Sequence, residues 1–317
     1  MQFDDDAKLD PSEIEDVRAT GPKQGGGGGM MPAGCASLPI SGKGGGCLLI
    51  ILAVAALFVF KIVPSPFTGD QQQPQPQGGG QAPPAPAVTP SGNLAERCKT
   101  GADADQSEDC RVVGIVNSIQ TYWKQAFAAR GGSAYTPAKT VLFSRAVNTA
   151  CGAADSAVGP FYCPRDRKVY LDLTFFNTLQ RDYGAEGGPF AQAYVIAHEY
   201  GHHVQNLLGT MNRVGDSRQG ASSGAVRLEL QADCYAGVWA NNAVKTGFYS
   251  QPFTQADIDQ ALSAAAAVGD DSIQRKAQGR VTPDAFTHGT SQQREKWFTV
   301  GYQTGDPKRC DTFTGAI

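Results

Sequence analysis

Histidine is scarce in this chain, with four in 317 residues, so a site that needs several imidazoles has few places to be. Excess positive charge is missing too. Lys and Arg number 27 against 30 Asp and Glu, the net charge is −3, and no long basic tract occurs, which argues against a nucleic-acid partner. None of the eight cysteines stands in a C-x-x-C pair, which excludes the usual zinc knuckle. No peptidoglycan-binding repeat is visible. Before about residue 95, core-forming pattern is absent apart from a single apolar run.

That first stretch divides by composition. Residues 1–46 read as a disordered cytoplasmic tail, acidic and polar at the start and then glycine-rich at Gly25–Gly29 and Gly44–Gly46. Residues 47–63, Cys47 to Val63, are apolar and close to the length that spans a bilayer, with Lys61 placed to snorkel. A cleaved signal peptide competes with this, but the long preceding tail and the lack of a compact cleavage site disfavour it. Residues 64–95 are rich in Pro, Gln and Gly and read as a tether. The remainder, 96–317, is long enough for one substantial folded domain.

Six cysteines follow the apolar run, so they can pair completely, and an oxidising compartment explains them best. Cys98 and Cys110 are twelve apart, as are Cys151 and Cys163. Fifteen connectivities are possible for six cysteines. The simplest has those two local loops plus Cys234 to Cys310. The expected placement is therefore the inner membrane, with one span and the domain on the extracytoplasmic side, where a membrane-protein partner of unknown identity is possible.

Three of the four histidines fall in Val195-Ile-Ala-His-Glu-Tyr-Gly-His-His-Val-Gln205, an H-E-x-x-H motif in a helical run. On a helix, His198 and His202 point the same way, one turn apart. Two imidazoles can then close on one zinc ion, which in a catalytic site takes three protein ligands and leaves a position for water. Glu199 is placed to take that water's proton. Gly201 leaves room for another element to approach. His203 lies one step off the ligand face and reads as a hydrogen-bonded or partly exposed histidine.

The third ligand is sought in a second apolar helix, Val226 to Trp239, where Glu229 and Asp233 stand four apart on one face. A buried, unpaired carboxylate is costly, so Glu229 reads as the ligand and Asp233 as the acceptor for the outer nitrogen of a ligand histidine. The remaining histidine, His288, precedes a capping box at Thr290–Gln293. Such a residue serves equally as a donor to the oxyanion of amide hydrolysis or as a residue that orders the turn. Tyr235 and Tyr249 are weaker candidates for that donor.

Elsewhere, Val112–Ala128 has helical apolar spacing and stops at Gly131-Gly132. Lys139–Ser144 and Lys168–Phe176 read as strands, Phe175 to Asp182 turns helical, and a capping box at Thr254–Asp257 opens an Ala-rich helix to about Val268. A sheet edge beside the metal-bearing helix can hold an extended peptide.

H-E-x-x-H with E-x-x-x-D resembles the gluzincin-type metallopeptidases. More closely, Ala197–Gln205, Leu228-Glu-Leu-Gln-Ala-Asp-Cys-Tyr-Ala-Gly237 and Thr287-His-Gly-Thr-Ser-Gln-Gln-Arg-Glu-Lys-Trp-Phe298 resemble the bacterial neutral zinc metallopeptidase family, over roughly the last two thirds of the chain. That family is similarly built, with a membrane span ahead of its metal-binding region. The resemblance implies a mostly helical α+β zincin-like domain with a small sheet. It also implies metal-assisted amide hydrolysis and supplies no substrate; the residues themselves point to Zn²⁺ as cofactor, and the expected substrate is a protein or peptide, cut by endopeptidase rather than exopeptidase action. Two other readings share the metal: a non-catalytic zinc-clamped binding or assembly module of the cell envelope, and a zinc amidase acting on cell-wall peptides. An intact Glu199 counts against the first, since a structural site needs no base and usually closes with four protein ligands.

Overall fold

The computed structural model describes residues 1–20, 93–131 and 134–317. Ile14–Asp16 forms β1, followed by the short helices α1 (Leu94–Arg97) and α2 (Gly101–Gln106) and the long α3 (Glu108–Arg130). Helix α3 ends where Gly131 takes a positive φ of 71°, a conformation that glycine adopts at little cost. Its apolar stripe, including Val113, Val116, Ile119 and Trp123, is fully buried, as the spacing requires.

Strands β2 (Lys139–Leu142), β3 (Ala146–Thr149), β4 (Gly152–Asp155), β5 (Phe161–Cys163) and β6 (Lys168–Leu171) follow. One sheet has the order β1-β2-β6-β5, parallel except for β5 against β6, while β3 and β4 form a separate hairpin. The two faces of the sheet are sorted by the alternation of side chains along a strand. Leu142, Tyr162, Val169 and Leu171 join the main core under the helices, whereas Val141, Phe143, Phe161, Cys163 and Tyr170 form a second cluster on the other face. Strand β6 is shorter than the sequence implies. The Asp172 side chain accepts from the Thr174 backbone N–H (3.0 Å) and hydroxyl (2.8 Å), which turns the chain out of the sheet and into helix α4 (Phe175–Arg181).

Helices α5 (Pro189–Leu207) and α6 (Gly224–Asn242) cross the centre of the molecule and are buried along almost their whole lengths. Pro189 begins α5, where a missing N–H costs nothing. The Ser223 hydroxyl caps α6 by accepting from Val226 N–H. Helices α7 (Gln255–Ala267), α8 (Asp270–Gln278) and α9 (Ser291–Thr304) complete the domain, and both α7 and α9 start on capping boxes, at Thr254/Asp257 and Thr290/Gln293. Disulfides join Cys98 to Cys110, Cys151 to Cys163 and Cys234 to Cys310, the simplest of the fifteen arrangements. The mostly helical α+β class read from the sequence agrees with this architecture.

Residues 1–20 correct the expectation of a disordered tail. Phe3, Leu9 and Ile14 are buried in the core, and β1 adds to the sheet beside β2. Three apolar side chains at irregular intervals give no periodic signal, yet the segment borrows order from an existing sheet edge. The domain also starts slightly earlier than residue 96, because Asn93 caps α1 and Leu94 is buried. The remainder of the proposed tail, the proposed span 47–63 and the linker up to residue 92 lie outside the described residues. Among the described residues, no helix is long and apolar enough to cross a membrane.

Candidate metal centre

Helix α5 brings His198 and His202 to one face, with ring centroids 4.8 Å apart. Helix α6 packs across them. The close approach depends on Gly201, where an added Cβ would lie 3.0 Å from the Cα and from the carbonyl oxygen of Ala232 on α6. Glu229 thereby reaches both imidazoles. Its Oε2 lies 3.2 Å from His198 Nε2 and its Oε1 3.5 Å from His202 Nε2. One donor atom from each of the three residues falls within 4.8 Å of the others, and all three side chains are buried. His198 Nε2 and Glu229 Oε2 have no hydrogen-bond partner among the described residues. Buried polar atoms left so are costly, and a divalent cation satisfies both. Two imidazoles and a carboxylate are the donor set of a catalytic zinc site.

The outer nitrogens of the two histidines are held by different partners. His198 Nδ1 lies 2.8 Å from Asp233 Oδ1, which also accepts from the Tyr194 hydroxyl at 2.6 Å. Arg294 on α9 grips the same carboxylate at two points, Nε to Oδ2 and Nη2 to Oδ1, both 2.9 Å. Burial alone would raise the Asp233 carboxyl, but Arg294 and His198 outweigh it and hold it at about 2. His202 Nδ1 lies 2.8 Å from Gln205 Oε1, and the Gln205 amide is fixed by donating to the Leu228 carbonyl (2.7 Å) and to Gln231 Oε1 (3.1 Å). Each partner fixes the tautomer that leaves Nε2 free for a metal.

Glu199 is buried on the same helix, with Oε1 unpartnered among the described residues. Burial pushes its pKa up to about 8, with the Glu229 charge adding to the effect and His202 opposing it. Glu229 itself is held well below the usual carboxylate range. Burial works against this, but the neighbouring His202 and His198 dominate.

His288 enters from the loop before α9 and interacts electrostatically with Glu229. One carboxylate organises that loop. Asp270 Oδ2 accepts from the backbone N–H groups of Thr287 (2.8 Å), His288 (2.7 Å) and Gly289 (2.9 Å), while Oδ1 lies 3.3 Å from His288 Nδ1. Tyr235 and Tyr249 are not brought to the site. The Tyr235 ring packs edge-on against Trp123, and Tyr249 packs with Phe3, Trp239 and Phe253. His203 is hydrogen-bonded at both nitrogens, to the Tyr162 hydroxyl (3.0 Å) and the Thr136 carbonyl (2.7 Å), and burial lowers its pKa to about 4.

The sequence reading missed Arg294, Gln205, Tyr194 and Asp270. Gln205 carried a signal, because it lies three residues beyond His202 and so on the same helix face. Arg294 carried a weaker one, as a charge close to Trp297 and Phe298 on a helix face that must be buried.

Residues 6–313 match the family described as "Putative neutral zinc metallopeptidase". The chain belongs to this family. Its cofactor is Zn²⁺, and His198, His202 and Glu229 form a group able to bind it. This family member is similar to the uncharacterized protein YpfJ of Escherichia coli K12, with 38% identity over 317 residues covering 98% of each chain. It is also similar to an uncharacterized protein of Mycobacterium tuberculosis strain H37Rv, with 54% identity over 235 residues, 72% of this chain and 78% of the relative. No solved structure matches.

Proposed function

We propose that this zinc peptidase hydrolyses internal peptide bonds, with Zn²⁺ held by His198, His202 and Glu229, Glu199 as general base and His288 as oxyanion donor. The observation that carries the reading is the convergence of the three donor atoms beside a buried carboxylate that is poorly satisfied. Zinc, when bound, acts as a Lewis acid and lowers the pKa of water. Glu199 removes the proton from the attacking water and passes it to the leaving amine. His288, held by Asp270 and the turn around it, donates to the oxygen that gains charge.

Three disulfides support an oxidising, extracytoplasmic setting, and the apolar run 47–63 supports attachment to a membrane. The test is cleavage of an unstructured protein such as casein by the zinc-loaded chain. Cleavage that chelation abolishes and zinc restores supports the reading. A chain that holds one zinc tightly and cleaves nothing is instead the zinc-clamped module.

A further inference from the structure

Residues 1–20, 93–131 and 134–317 form one packed body, although residues 21–92, with their apolar run, separate the first from the rest along the chain. The receiving surface is built for this segment. A Cβ added at Gly114 would come within 2.5 Å of the Phe3 ring, so α3 keeps a glycine where that ring enters. Phe3 also packs at a tilt against Tyr249 with centroids 4.7 Å apart. Backbone hydrogen bonds run along the segment from Asp4 N–H to the Phe248 carbonyl (2.9 Å), Leu9 N–H to Lys99 (3.0 Å), Gly101 N–H to Ala7 (3.0 Å) and Val17 N–H to Leu142 (2.9 Å). The buried Asn117 amide brackets Asp10, accepting from its N–H at 2.7 Å and donating to its carbonyl at 3.0 Å. Strand β1 pairs with β2 through all three of its residues, and Arg18 is paired with Asp109 at 2.8 Å.

An apolar run that crosses a bilayer once leaves its two flanks on opposite faces, separated by about 30 Å of hydrocarbon. Flanks that share a hydrogen-bonded sheet and a core cannot be so separated. Docking onto a neighbouring copy would still require both on one side. From this we infer that residues 1–20 lie on the same side of the membrane as the catalytic domain. This departs from the single-pass arrangement expected from composition. The same-side statement stands on the docking alone, while the identity of that side rests on the compartment proposed above.

The experiment uses the full chain in bacterial spheroplasts, with Cys35 and Cys47 changed to Ser and one new thiol at an exposed position, either Asp6→Cys or Arg280→Cys. A membrane-impermeant maleimide is applied before and after detergent, and denatured samples give the full labelling level. The two positions are expected to label alike, both before detergent. Labelling of both only after detergent keeps the same-side inference and overturns the extracytoplasmic setting. Labelling of Arg280→Cys in intact spheroplasts with Asp6→Cys silent until lysis overturns the inference.

Discussion

Arg294 and Asp233 form a buried two-point ion pair directly behind His198, with both contacts at 2.9 Å. The carboxylate that orients the ligand is thus itself neutralised and immobilised. Removing one member of a buried pair leaves the other charge uncompensated, at a cost of about 3–5 kcal/mol. Arg294→Gln is therefore expected to destabilise the fold by that order and to weaken zinc binding by about 10–100-fold, the usual effect of losing a ligand's supporting partner. Arg294→Lys is expected to rescue only partly, since an ammonium cannot reproduce the fork. Denaturant titration and zinc competition against a chelating dye measure both. Unchanged zinc affinity in Arg294→Gln would contradict the orienting role.

Gln205 does for His202 what Asp233 does for His198, but without charge. Gln205→Leu removes the acceptor for Nδ1–H and is expected to weaken zinc binding by about tenfold or more, while Gln205→Glu, which keeps an acceptor, retains most of the affinity. Equal affinity in all three proteins would show that the contact at 2.8 Å does not govern the ligand.

His288→Ala is expected to lower kcat by about 10²–10³-fold while leaving zinc content and KM nearly unchanged, because a donor to the oxyanion acts chiefly in the transition state. Parallel loss of zinc or of folded protein would reduce His288 to a residue that orders its turn.

The pairing of the N-terminal segment carries its own pH dependence. Burial opposes ionisation of Asp109, but hydrogen bonds from Arg18 and Arg97 outweigh it and lower its pKa. With the folded value below the unfolded one of about 3.9, the pair's stability is fully present above that pH and is lost as pH falls through the folded value. The stability gap between the native chain and Asp109→Asn is therefore expected to be constant from pH 7 to about 5 and to close below about 4. A gap that does not shrink as the pH falls below about 4 would contradict the assignment.

What could be read in advance was mostly local. His198, Glu199 and His202 follow from one turn of helix, and Glu229 with Asp233 from another, because the face and the burial of each helix are written in its own apolar spacing. The partners Arg294 and Asp270 come from α9 and α8, and no spacing within α5 or α6 points to them. Strand β1 was invisible for a related reason. Three residues with one buried apolar side chain make a strand only because β2 offers an edge. The over-long reading of β6 came from taking Leu173 to Phe176 as alternation, when Asp172 turns the chain first.

The account stands most directly on zinc content and casein cleavage measured together in the native chain and in Glu199→Gln. Glu199 is adjacent to the ligands but outside the donor group, so the account predicts one zinc per chain in both proteins and cleavage by the native chain alone. Cleavage by Glu199→Gln at a comparable rate, or a native chain that cleaves without zinc, would contradict it.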